Sequence, residues 1–232
     1  EIKIDQIRAL SDFMNISTHR QGLRVVVLYP AHVLNMASSN ALLKTLEEPP
    51  PSTLFLLVTD SLNRLLPTIL SRCRKFGVHA PQPQAALGWL QQQGVADAPG
   101  WLAEQGGAPL AALDAAQQGQ REELDWFLQQ LQQPGAEMAL KAADKLQKMP
   151  VNQLLACLQR WCYDLFSYKL TGTIRYYPRH ARALAALSQR MELNRLLKAL
   201  KSLNQRRAII DHPLAPKLLI EDILLDYSAL TV

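Results

Sequence analysis

Residues 24–29 read RVVVLY and residues 53–59 read TLFLLVT, and these two apolar runs decide the fold class. Short continuous runs that are rich in β-branched residues are typical of strands buried on both faces of a sheet. Residues 36–48 (MASSNALLKTLEE) lie between the runs, and their pattern predicts a helix that Ser38 or Ser39 caps and that the following prolines end. A strand, a helix and a second strand in this order predict parallel pairing.

The residues around this unit extend the same pattern. Apolar positions at helical spacing predict a helix over 5–15, and a second helix over 62–72 in which Pro67 either bends the helix or starts a new turn. KFGVH at 75–79 is interpreted as a short third strand. Residues 1–80 therefore form an α/β layer with an incomplete parallel sheet flanked by helices, and we expect an upstream segment to complete the sheet.

Beyond Pro81 and Pro83 the sequence carries no strand signal. We predict a small helical lid domain over 81–119 and an all-helical domain over 120–232 that serves as a collar for oligomerisation. Within the second of these, Gly and Pro residues separate predicted helices at 121–132, 136–148, 151–170, 180–205 and 214–228. The leucines of the fourth helix form an apolar stripe that either contacts other subunits or packs inside the domain itself.

Composition limits the class of protein. With 48% hydrophobic and 19% charged residues among 232, the chain can build packed cores, which excludes general disorder. No apolar stretch is long enough to span a bilayer, so no membrane association is expected. Three cysteines without a CxxC motif favour a reducing compartment, and the cytoplasm is the expected location.

The positive charge is concentrated in one segment. Residues 175–207 contain nine basic residues and one acid, Glu192, whereas the rest of the chain has no positive excess. Such a segment is suited to phosphates or to an acidic protein face, and it is equally compatible with a solvated helix surface.

Motifs for self-contained catalysis are missing from the sequence. There is no GxxxxGK[ST] phosphate loop and no nucleophile elbow, and the five histidines have no metal-ligand spacing with one another or with the cysteines. We therefore expect no metal site and no cofactor in this chain.

Two strings change this interpretation. NALLKTLEEPP (40–50) and TILSRC (68–73), joined by the strand TLFLLVT, closely resemble the clamp-loader branch of the AAA+ ATPases. The resemblance covers residues 1–80 well and 81–119 loosely, and extends further only in helical character. It implies an AAA+ module, a helical lid and a helical collar, in a ring of five subunits that opens a sliding clamp and places it on primed DNA. It also implies that the phosphate loop, and a zinc module, lie upstream of Glu1.

The departures from the family pattern are as informative as the match. In hydrolysing members the strand that corresponds to RVVVLY ends in Asp-Glu, where one carboxylate helps to hold Mg²⁺ and the other positions the attacking water. Here those positions are Tyr29 and Pro30, a degenerate Walker B motif. The position of the arginine that reaches ATP from the small domain corresponds to Leu110, a degenerate sensor 2.

The SRC motif is retained as Ser71, Arg72 and Cys73. In this family the SRC arginine acts in trans, on ATP bound to the neighbouring subunit, and its planar cationic fork stabilises charge on the transferred phosphoryl group. The alternative is that Arg72 is only a cation at the end of its helix, where the helix dipole favours it.

The resemblance thus implies a non-hydrolysing subunit of the bacterial DNA polymerase III clamp loader, not itself an enzyme. Its expected partners are the ATP-hydrolysing gamma or tau subunit and the delta subunit, and through them the sliding clamp and primed DNA. Two alternatives stay open: an ATP-hydrolysing gamma/tau-type subunit, and a stand-alone nucleic-acid-binding protein that uses the basic segment.

Overall fold

The computed structural model describes residues 1–15, 22–119, 121–207 and 216–231. Their contacts divide the chain into two compact units, Glu1–Val78 and His79–Val232.

The first unit contains a two-stranded parallel sheet. Strands β1 (Arg24–Leu28) and β2 (Thr53–Leu57) pair in parallel, with Arg24 opposite Thr53 and Leu28 opposite Leu57. The crossover between them carries helix α2 (Met36–Glu47), and helices α1 (Ile4–Asn15) and α3 (Pro67–Leu70) come before and after the strand pair. The strand–helix–strand prediction is therefore confirmed, because α2 supplies the crossover that parallel strands require.

Burial differs between the two faces of this sheet. Val26 is 5% exposed, whereas its neighbours Val25 and Val27 are 48% and 58% exposed. On β2, Leu54 and Leu56 are each 43% exposed. The prediction of strands buried on both faces is wrong for this chain, because only one face of the sheet has a described layer packed against it.

The predicted third strand is also absent. Residues 75–79 have no strand assignment and make no backbone hydrogen bond to the described residues. Phe76 and Val78 are each 88% exposed. A strand exists only through the ladder it shares with a neighbour, and in the described chain these residues have none.

Two helix boundaries refine the sequence interpretation. Asn35, rather than Ser38 or Ser39, caps α2, because its side-chain oxygen accepts a hydrogen bond from the Ser38 amide at 2.8 Å. The predicted helix at 62–72 is a 3₁₀ turn at Leu62–Arg64 followed by α3. Pro67 occupies the first turn of α3, which confirms that it starts a new turn, since its missing N–H is not needed there.

The described part of the second unit contains helices and no strand. Its helices are α4 (Pro83–Gln92), α5 (Ala98–Glu104), α6 (Pro109–Gln117), α7 (Arg121–Gln130), α8 (Ala136–Leu146), α9 (Val151–Thr171), α10 (Ala181–Arg190), α11 (Leu193–Arg207) and α12 (Pro216–Ser228). The predicted single helix at 180–205 is two helices, because Met191 takes an extended conformation between them and buries its side chain.

Two apolar clusters stabilise this unit. The smaller joins α4, α5 and α6 around Leu90 and Trp101, and the larger surrounds Trp161 on α9. In α11, Leu196 and Leu203 are buried in the larger cluster, while Leu197 is 40% exposed. The leucine stripe therefore packs mainly inside the unit, which favours the second interpretation given above.

Ion pairs connect the early and late helices of the second unit. Arg121 donates hydrogen bonds to Glu104 at 2.8 Å and to Asp125 at 3.0 Å, and its guanidinium lies 4.5 Å from the centre of the Trp101 ring. A further ion pair joins Asp97 to Arg179. The contacts cross position 120, so the predicted division into a lid and a collar stays a prediction.

Candidate functional site

The candidate site lies where α3 ends. The helix is a single turn, and Ser71, Arg72 and Cys73 follow it directly. Ser71 donates its hydroxyl to the Thr68 carbonyl at 3.0 Å, which holds the chain in the turn after the helix. Cys73 is half-buried, and burial raises the pKa of its thiol. The cysteine is therefore suited to packing rather than to nucleophilic chemistry.

Arg72 is held on two sides. Its Nη1 atom donates to the Thr68 carbonyl at 2.9 Å and lies 3.3 Å from the Ser71 hydroxyl. Its Nε and Nη2 atoms donate to one oxygen of Glu47, the Nε contact being 2.6 Å long. The side chain of Arg72 is 32% exposed and that of Glu47 is 48% exposed. The cation is therefore at the surface of its unit, with a fixed orientation.

The Arg72–Glu47 ion pair joins the two strings that carry the resemblance. Glu47 is the last residue of α2, within NALLKTLEEPP, and Arg72 belongs to TILSRC. The sequence does not predict this contact, because two residues 25 positions apart have no spacing that indicates one.

The position that would carry catalytic carboxylates contains none. Tyr29 directly follows β1 and is 73% exposed, and Pro30 comes next. Neither side chain offers an oxygen ligand suited to Mg²⁺. Leu110 lies in the first turn of α6 and is 68% exposed, so this position has no cation either.

Sequence reasoning missed a polar contact at the carboxyl ends of the two strands. Nδ1 of His32 lies 3.1 Å from the Thr59 hydroxyl and 3.1 Å from a carboxylate oxygen of Asp60. His32 follows β1, and Thr59 and Asp60 follow β2. The predicted parallel strands were the signal that could have indicated this contact, because the carboxyl ends of parallel strands lie at the same edge of a sheet.

The described residues contain no cluster of His, Cys, Asp or Glu that could hold a metal ion. Among the same residues, no helix is long and apolar enough to cross a membrane.

The basic segment is partly neutralised inside the second unit. Several of its described side chains already have partners there. They are Arg179 with Asp97, Arg195 with Glu192, and Arg206 with Asp222 and Asp226. Less of the charge is available to a polyanion than the sequence alone indicates.

Comparison with known proteins shows similarity to DNA polymerase III subunits. Residues 1–82 match the family model described as DNA polymerase III, delta subunit. A DNA polymerase III subunit delta-prime from Pseudomonas aeruginosa is 35% identical over 179 residues, which are 73% of this chain and 54% of that protein. The corresponding protein of Haemophilus influenzae is 38% identical over 133 residues, or 56% of this chain and 41% of that protein.

The matched part of the chain is similar to DNA polymerase III delta-prime subunits. The chain spans about half the length of these curated delta-prime relatives. The tau subunit of Escherichia coli is also similar, with 42% identity over 78 residues, or 34% of this chain and 12% of that protein. A DNA polymerase III gamma subunit-related protein from Thermotoga maritima aligns with all of this chain and 80% of its own, at 23% identity and a TM-score of 0.49.

Proposed function

We propose that this protein is a non-hydrolysing, delta-prime-type subunit of the DNA polymerase III clamp loader, and that Arg72 acts in trans on ATP bound to a neighbouring subunit. Two features of the first unit together carry the proposal. A surface guanidinium lies at the end of α3, and the end of β1 lacks carboxylates. The chain has the group that assists a neighbour and lacks the groups that would serve its own nucleotide.

The proposed partners follow from this role. A gamma or tau subunit provides the ATP that Arg72 reaches, the delta subunit completes the ring, and the sliding clamp and primed DNA are bound by the assembly. The proposed location is the cytoplasm. We propose that the chain is not itself an enzyme, because Tyr29 and Pro30 stand where hydrolysis needs catalytic carboxylates.

The similarity to tau subunits favours a second candidate, an ATP-hydrolysing subunit. Against it stand Tyr29 and Pro30, because hydrolysis needs a carboxylate to help hold Mg²⁺ and another group to orient water. A stand-alone nucleic-acid-binding role is less supported, since Arg179 and Arg206 of the basic segment already form ion pairs within the second unit.

The test is a clamp loader reconstituted with Arg72→Ala or Arg72→Lys, assayed with clamp and primed DNA. A trans-acting arginine raises the hydrolysis rate about 10³–10⁵-fold at the ATP site that it reaches. We expect a smaller loss for the whole loader, because Arg72 would reach only one of several ATP sites. We expect both variants to assemble normally and to lose stimulated ATPase and clamp loading. Lysine restores the activity only in part, since it keeps the charge and loses the planar fork.

Arg64→Ala is the matched control, because Arg64 is also exposed in the first unit and lies outside the SRC motif. It should leave ATPase and loading unchanged. Wild-type ATPase and loading in both Arg72 variants would show that Arg72 is merely a helix-terminal cation.

A further inference from the structure

The guanidinium of Arg72 has little capacity left for a new ligand. Nε and Nη2 form the side-on edge that grips a carboxylate or a phosphate with two hydrogen bonds, and both atoms donate to Glu47. Nη1 donates to the Thr68 carbonyl and lies beside the Ser71 hydroxyl. An incoming phosphate therefore meets a fork whose bidentate edge is already occupied.

The backbone contact and the carboxylate contact have different consequences. The Thr68 carbonyl is fixed in α3, only four residues from Arg72, so it holds the guanidinium near the end of the helix without neutralising it. Glu47 neutralises the cation, and its side chain can move to another rotamer because it has three rotatable bonds. Only the Glu47 contact has to break for the fork to face a phosphate.

Position and exposure make this contact replaceable. Glu47 ends α2, where the partial negative charge of the helix C-terminus disfavours a carboxylate, so Glu47 gains from a nearby cation. The two side chains are 32% and 48% exposed, which keeps the ion pair weak because water and salt screen it. A nucleotide phosphate carries more negative charge than one carboxylate and competes for the same edge.

We propose that Glu47 is a positioning residue that occupies the phosphate-binding edge of Arg72 and must be displaced before Arg72 engages a neighbour's nucleotide. The inference rests on the proposed function, since it specifies how the same arginine is held before engagement. Glu47 thereby restrains the unstimulated assembly and sets a threshold for engagement.

The test uses Glu47→Gln in the reconstituted loader, because glutamine keeps the shape and removes the charge. An exposed ion pair of this kind corresponds to about a two- to five-fold bias, so we expect basal ATPase at subsaturating ATP to rise by about that factor. The KM for ATP should fall while kcat stays unchanged. The difference from wild type should shrink at high salt, where the ion pair no longer competes in wild type.

Glu48→Gln is the matched control, since Glu48 is the next residue, is exposed and undergoes the same chemical change. It should leave basal ATPase unchanged. Thermal melting of both glutamine variants near the wild-type temperature confirms that folding is not the cause.

Combining Glu47→Gln with Arg72→Ala separates the two hypotheses. The gain from Glu47→Gln should vanish in the Arg72→Ala background. If Arg72→Ala is impaired while Glu47→Gln is neutral or impaired, the restraint is refuted and the proposed function stands. If Arg72→Ala behaves as wild type, the proposed function fails and the restraint fails with it.

Discussion

Replacing Asp164 should destabilise the second unit more than any exposed carboxylate does. Asp164 lies in α9 with no exposed surface, and its two oxygens accept hydrogen bonds from three consecutive backbone amides. Arg175 N lies 2.9 Å from Oδ1, Tyr177 N lies 2.7 Å from Oδ2, and Tyr176 N contacts both oxygens. The carboxylate thus fixes the turn that follows α9 and directs the Tyr177 side chain into the core.

The size of the effect follows from the acceptors that are lost. Burial raises the pKa of Asp164, and the three N–H donors oppose that rise. In Asp164→Asn an NH₂ group replaces one oxygen, so at least one amide loses its acceptor and faces another donor. A stranded buried donor costs about 1–3 kcal/mol. Asp164→Ala removes the acceptors of all three amides, and we expect a loss of about 3–5 kcal/mol.

Tryptophan fluorescence in urea measures this loss specifically. All four tryptophans, at positions 89, 101, 126 and 161, belong to the second unit, so the signal reports on that unit alone. The midpoint should fall for Asn and further for Ala, with little change in slope. Asp114→Asn is the control, because Asp114 is an exposed helix residue in the same unit. If the Asp164 and Asp114 variants unfold at the same urea concentration, the argument for Asp164 as an anchor is refuted.

Two further predictions concern titrating groups of the second unit. Burial lowers the pKa of His180 below its ordinary 6.5. The unfolded chain therefore binds a proton on this histidine more tightly than the folded chain does. The neutral, buried His180 contributes its full stability above pH 6.5, and this contribution is lost as the pH falls below 6.5. His180→Gln should therefore show a smaller loss of unfolding free energy between pH 7 and pH 5.5, and equal losses would contradict this. Burial also raises the pKa of Cys157 and of Cys162 to about 12, from 9.0, which lowers their thiolate fractions about 1,000-fold. A thiol-reactive dye should modify Cys73 alone in the native protein and all three cysteines in denaturant, and rapid native labelling of Cys157 or Cys162 would count against their burial.

Much of the local structure follows from the sequence, because local patterns carry their own physical cause. The β-branched run at 24–28 forms β1, and residues 36–47 form the helix between the strands as their periodicity predicts. Pro67 starts α3 because its fixed φ suits a first helical turn. The strings that resemble the clamp-loader family are likewise local sequence features, and the comparisons show similarity to DNA polymerase III subunits.

Other features depend on residues that are distant in the chain, and only the tertiary structure decides them. The third strand predicted at 75–79 has suitable residues and no described partner to share a ladder with. β1 has the composition of a fully buried strand, and one of its faces is exposed because no described layer covers it. Arg72 meets Glu47 only because α2 and α3 pack together in the first unit. Composition and periodicity determine which elements form, whereas which charge faces which, and which apolar face is covered, depends on packing between elements.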